Sequence, residues 1–279
     1  MRVIVCIVAI WFASLPLCAR AVAQTKLNAR YSISLLGLTV GQGTWEVEIN
    51  GDQYSEKAHG RINGMATTLI NGEASASTLG TLAKDRTLPA LFEADVKTDV
   101  EVDKIRMELD ATGVTDLVVD PPFLPARKER VPVTDADRRG VLDPLSAGLV
   151  VVAGSDDLLK PQSCQGRIPV FDGRRRFDVG LNFIRVDMVK AEGGYQGPGI
   201  VCTARLVPIA GHRVGGATLQ LLVKLNAVEV TLVPLAGTRI LVPFKASIPT
   251  LVGTVTIAAD RFTVSGPIKP LPPAGTGSR

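Results

Sequence analysis

The sequence predicts an all-β protein, mainly antiparallel, built as a curved sheet or an open β-barrel with one short helix packed against it. Three observations predict it. Apolar and polar residues alternate over short runs, the period of a strand with one buried and one solvated face. Turn dipeptides separate those runs at short intervals. One stretch alone, beginning Asp143-Pro144, carries a helix-start signal.

The first 23 residues stand apart. Arg2 gives a short basic start, Val3 to Leu17 is almost wholly apolar, and Ala21-Val22-Ala23 supplies a small-x-small cleavage pattern. This reads as a signal peptide, residues 1–23, cut before Gln24. The apolar run is about 15 residues, short of the roughly 20 that cross a bilayer, so it is not read as a membrane span. Cys18 is no lipid anchor, because Leu17 before it is not small. The expected location is the periplasm.

Loss of the leader takes Cys6 and Cys18 with it, leaving Cys164 and Cys202. Two cysteines in an oxidising compartment, with no other to mispair, are expected to form one disulfide, two buried thiols being the alternative. It would close a loop of about 38 residues and stabilise the fold by about 3–4 kcal/mol in the chain-entropy picture. No metal site is expected, because only His59 and His212 remain to complete a ligand set. Of 31 basic residues, Arg2 and Arg20 fall in the leader, so the mature chain is close to neutral against 27 acidic ones. Its basic residues are scattered, which argues against nucleic acid as a partner.

Along the mature chain, Tyr31 to Leu35 and Trp45 to Ile49 alternate, and Asn50-Gly51 follows as a hairpin signal. Asn63-Gly64 and Asn71-Gly72 repeat it, so the first quarter reads as a meander. Leu91 to Thr98, Val102 to Leu109 and Val114 to Val119 read as further strands. Pro121-Pro122-Phe123-Leu124-Pro125 ends regular structure, and Ala126 to Gly140 is a charged connection. At Asp143-Pro144 a good N-cap precedes a proline at the first helical position, predicting a short helix over Pro144 to Val152 that plugs one side of the sheet.

The second half returns to strands. Arg167 to Phe171 and Arg174 to Val179 flank Asp172-Gly173 as a two-residue hairpin, followed by Leu181 to Val189 and Gly197 to Val207. Two or three long strands lie between Leu219 and Val264, with turns near Leu235-Ala236-Gly237 and Pro249. The sum is about eleven to thirteen strands. Residues 24–265 read as a single β-rich domain, with a division near Arg127–Gly140 as the alternative. Residues 266–279, rich in Pro and Gly, read as a disordered tail.

No catalytic residue is assigned. There is no Gly-x-Ser-x-Gly elbow and no His-Glu-x-x-His. Ser146 has no base near it in sequence, and Asp99/Glu101 and Asp135/Asp137 read as solvated or turn carboxylates. Arg174-Arg175-Arg176 is read first as sheet-edge charge, with an anion or headgroup contact as the rival. Leu221 to Val223, Val230 to Val233 and Ile240 to Val242 are apolar on consecutive positions. Either a loop or helix covers their outer face, or they line a cavity.

Several stretches resemble the exported bacterial family DUF3108. They are Tyr31-Ser32-Ile33 through Gly41, Asp143-Pro144-Leu145-Ser146-Ala147, Cys164-Gln165 through Phe177, and Cys202-Thr203-Ala204-Arg205 through His212. The resemblance implies a periplasmic β-rich fold and supplies neither an activity, a cofactor nor catalytic residues. The function expected is a non-catalytic envelope protein that binds a hydrophobic molecule, a lipid or a protein partner. An envelope hydrolase acting on a glycan or ester, or a structural assembly factor, are the alternatives.

Overall fold

A computed structural model describes residues 24–62, 71–99, 102–122, 130–216, 220, 223 and 228–266. Residues 1–23 and the Pro-rich tail, apart from Gly266, lie outside the described residues. The first seven strands form an antiparallel meander: β1 (Gln24–Leu35), β2 (Leu38–Asn50), β3 (Gln53–Ile62), β4 (Gly72–Leu82), β5 (Thr87–Thr98), β6 (Val102–Asp110) and β7 (Gly113–Asp120). Then follow β8 (Val150–Val151), β9 (Gly166–Phe171), β10 (Arg176–Lys190), β11 (Gly193–Gly194), β12 (Gln196–Ala210), β13 (Glu229–Pro234), β14 (Ile240–Thr250) and β15 (Gly253–Ser265). All belong to one sheet, in the order β7-β6-β5-β4-β3-β2-β1-β15-β14-β13-β12-β10-β9, with β11 on β15 and β8 on β14.

The hydrogen-bond ladder does not close, because β7 and β9 remain its two ends. The segment 139–142 stitches them together. Gly140 N–H donates to Thr112 O beside β7, and Leu142 N–H donates to Pro169 O while accepting from Phe171 N–H on β9. Side chains complete the seam: Phe92, Met107, Leu109, Val141 and Phe171 form one buried cluster. Arg174 reaches across it to Asp103 at 2.7 Å and to the Pro121 carbonyl at 2.6 Å. The architecture is therefore an open barrel, mainly antiparallel, as the alternation predicts.

The predicted helix is a correction. Asp143 does cap, its Oδ1 accepting from the N–H groups of Leu145 and Ser146 at 2.9 and 3.0 Å. Only one 3₁₀ turn follows, Ser146–Gly148. The chain then leaves as β8, pairing Val150 with Leu241 and Val151 with Ile240. β-branched Val150, Val151 and Val152 lose side-chain freedom in a helix and gain a ladder here. The plugging role survives, because Gly148 sits against Trp45 and Leu149 joins the barrel core.

Two turns shift by one residue. Asn50 is the last residue of β2 and pairs with Gln53, so the loop is Gly51-Asp52, with positive φ only at Gly51. That is the pattern of a II′ turn rather than I′. Likewise Asp172 N–H bonds Arg175 O, which centres that turn on Gly173-Arg174. Asn71-Gly72 is no turn: Gly72 opens β4 and Asn71 bonds Asp99. Asn63-Gly64 lies outside the described residues. Arg176 begins a single long strand that also contains Leu181 to Val189. Leu221 and Leu222 lie outside the described residues, and Gln220 and Val223 carry helical rather than strand backbone.

The consecutive apolar runs are covered on both faces. Val233, Ile240, Val242 and Phe244 point into the barrel core. Leu232 and Leu241 point the other way, into a second cluster with Val152, Cys164, Leu181, Ile200 and Cys202. The cover is the loop from Val152 to Gln165, pinned to β12 by the Cys164–Cys202 disulfide. Of the two readings of these runs, the structure takes the covering loop over the outer face.

Candidate functional site

The plug turn brings together a buried polar network. Ser146 donates its hydroxyl proton to Asp143 Oδ2. Its oxygen is thereby left to accept from Tyr54 Oη at 2.7 Å. Thr78 Oγ1 lies 3.0 Å from both Asp143 Oδ2 and the Leu91 carbonyl, and Thr87 Oγ1 donates to Ser146 O at 3.3 Å. Beside them Glu56 accepts from Trp45 Nε1 at 3.0 Å. Tyr54, Glu56, Thr78, Asp143 and Ser146 are all buried.

The electrostatics follow from burial. Desolvation raises the Asp143 carboxyl above its usual range, against four donated hydrogen bonds that pull the other way. Glu56 is pushed well above the ordinary carboxylate value by burial first and by the Asp143 charge second, with the Trp45 bond opposing. Its Oε1 is buried with no partner. Two interacting carboxyls in a buried site disfavour holding both charges, and the cost weighs most on Glu56, which accepts one hydrogen bond where Asp143 accepts four.

No histidine enters this network. His59 lies on the outer face of β3, 3.0 Å from Glu73. The chain at His212 pairs instead with Val131. Ser146 is fully buried and its partners hold the 3₁₀ turn against β3, β4 and β5. The network is built to position that turn. Its members come from separate strands, so spacing does not reveal them. One signal was available: alternation places Glu56 on the inward face with Tyr54 and Ala58.

What the turn positions is a cleft of about 330 Å³ at the end of the barrel that holds the β4–β5 and β6–β7 connections. Leu142, Leu149, Val150, Val151, Ile168 and Leu181 form its apolar wall. Asp85, Arg86, Asp110 and Arg167 stand at its rim. Of the two rim carboxylates, Asp110 is tied down by its own turn. Asp110 accepts from Thr112 Oγ1 and N–H at 2.6 and 2.7 Å. Those bonds hold it below the usual carboxylate range, opposite to what a general acid requires. None of the consecutive apolar runs lines this cleft.

Cys164 and Cys202 are bonded as expected, and a bonded pair is the mark of an oxidising compartment. The arginine run is structural. Arg174 pairs with Asp103, Arg175 lies 3.7 Å from Asp172, and buried Arg176 pairs with Asp178. No group of side chains suited to a metal ion occurs among the described residues. No described helix is long and apolar enough to cross a membrane.

Fold and cleft together define a class, the open β-barrel with a plugged interior and a cleft at one end. The chain matches the family described as "Protein of unknown function (DUF3108)" over residues 30–260, and it belongs to that family. No curated protein matches it. Among solved structures it is similar to one titled a β-barrel-like protein of domain of unknown function DUF1849 from Brucella abortus. That likeness has 9% identity and a TM-score of 0.46, covering 88% of this chain and 99% of the other.

Proposed function

We propose that the chain is a non-catalytic periplasmic protein, folded as one unit over residues 24–265 after removal of residues 1–23, that holds a small hydrophobic molecule or the apolar end of an amphiphile. The observation that carries this is the cleft of about 330 Å³ beside the plug turn. Its volume lies at the lower end of the range for small-molecule sites, and an apolar wall with a few polar groups at the mouth is the usual form of such sites. The rim bears two acidic and two basic side chains, so it favours a polar but not strongly charged end group. A buried hydrogen-bond network fixes the wall that carries Ala147 and Leu149, which preorganises the cleft.

The test is co-purification. Protein isolated gently from the periplasm is expected to carry an extractable apolar compound, and Ile168→Arg, which places a charge on the cleft wall, is expected to lose it. A compound retained by the variant would place it elsewhere on the molecule.

A further inference from the structure

At the opposite end of the barrel, two neighbouring hairpins form an apex with no charged side chain. Between Arg30 and Glu46 on β1–β2, and between Lys245 and Asp260 on β14–β15, the sequence has no Asp, Glu, Lys or Arg. β15 pairs with β1, so the two hairpins stand side by side. Their tips expose Leu36 at 71%, Leu38 at 74%, Leu251 at 62% and Val252 at 48%. An exposed apolar patch of this kind marks a contact surface.

The tip conformation adds a second argument. Leu36 is the one described non-glycine residue with positive φ, at 51°, followed by Gly37 at 86°. Both positions of this two-residue turn need the left-handed region, where Asn and Gly belong and a leucine is strained. The fold therefore tolerates strain at a position where the chain presents one of its most exposed apolar groups.

We propose that this apex inserts into the surface of an anionic lipid bilayer. Several of its polar groups are satisfied within the hairpin pair, as a hydrocarbon environment favours. Leu36 N–H donates to Thr254 O, Thr250 Oγ1 donates to Gly253 O, and the Ser32 and Ser34 hydroxyls donate to Ala258 O and Thr256 O. Below the apex the outer face turns basic. One cross-strand row runs Lys245, Ala258, Ser32, Gln42, Arg61, Glu73, Lys97. The next holds Arg261, Arg30, Asp95, Lys104 and Asp120. Asp260 sits at the bulge beside Arg30. The six cations of the two rows outnumber Glu73, Asp95, Asp120 and Asp260, and Glu229, one row nearer the tips on β13, faces Arg185 at 3.8 Å. Ser32 lies three residues below Leu35, about 10 Å along the strand. Apolar surfaces of peripheral proteins enter a bilayer by about 5–10 Å, which sets the first basic row at the phosphates.

The test uses the chain beginning at Gln24, which keeps every described element and omits the apolar leader. Sedimentation with vesicles containing about one-third phosphatidylglycerol is compared with phosphatidylcholine alone. Binding to the anionic vesicles is expected, and a Leu38→Trp variant should shift its emission to the blue on binding. Leu36→Asn with Leu251→Asn should weaken binding at least about tenfold, with no loss of melting temperature because Asn suits the turn. Lys245→Ala with Arg61→Ala should weaken it about fivefold per cation. Absence of binding by the parent, or unchanged binding by the Asn pair, overturns the proposal. So does a concentration-dependent dimer that the Asn pair dissolves, which would assign the apex to a second copy. Cleft occupancy, at the other end, should be unchanged by every one of these variants.

Discussion

The two halves of the sheet use the same kind of strand under different cover. Along β3 to β7 one face meets the interior and the other meets water, and the sequence alternates accordingly, as in the buried Tyr54 and Glu56, each followed by a more exposed residue, Ser55 and Lys57. Along β13 and β14 neighbouring residues are buried in opposite directions, Leu232 beneath the disulfide-pinned loop and Val233 in the barrel. Alternation therefore marks a solvated face and consecutive apolar residues mark a covered one. A covering loop produces the same run as a ligand cavity, so the run alone did not distinguish them.

The largest effect should come from removing the cover's anchor. Cys164→Ser with Cys202→Ser is expected to lower unfolding stability by about 3–4 kcal/mol, measured by denaturant titration. Leu241→Ala, on the covered outer face of β14, should cost about 3 kcal/mol. If it costs no more than a surface substitution, the loop does not cover that face.

The network behind the cleft is the next comparison. Asp143→Ala leaves the Leu145 and Ser146 N–H groups and the Ser146 hydroxyl without their acceptor, for a loss of about 2–3 kcal/mol. It should also loosen the cleft wall, read as faster hydrogen exchange at residues 145–149. Glu56 gives a signed prediction in pH. Its folded value is raised, so its contribution is fully present below the unfolded value near 4.5 and is lost as pH rises through the folded one. Glu56→Gln keeps an acceptor for Trp45 and abolishes that slope. Its stability relative to the parent should be higher at pH 8 than at pH 5, and parallel profiles would show that Glu56 is not neutral in the fold. Smallest of all, Lys57→Thr on the solvated face of β3 should change stability by less than about 0.5 kcal/mol.

Much of the fold was legible because strands announce themselves locally. β5, β6 and β7 lie within a few residues of their alternating segments, and turn dipeptides located Gly51 and Gly173 to within one residue. The helix was misread because Asp143-Pro144 is a true start signal whose continuation is decided elsewhere. Val150 and Val151 find a partner in Ile240 and Leu241, some ninety residues on in sequence. The candidate site was less legible for the same reason. Tyr54, Thr78 and Ser146 meet only after the meander has formed, and cleft residues such as Arg86 and Ile168 share no motif. Asp143 was recognised as a cap; that its other oxygen ties Ser146 to Thr78 on β4 is a tertiary fact.

The most direct test of the central claim is native mass spectrometry of the protein released gently from the periplasm, run with Ile168→Arg in parallel. The account predicts a reproducible added mass on the parent chain, removed by organic extraction and absent from the variant, with the chain itself two hydrogens lighter than its reduced form. A bare parent chain under the same conditions, or an added mass that Ile168→Arg retains, would contradict the cleft as a binding site.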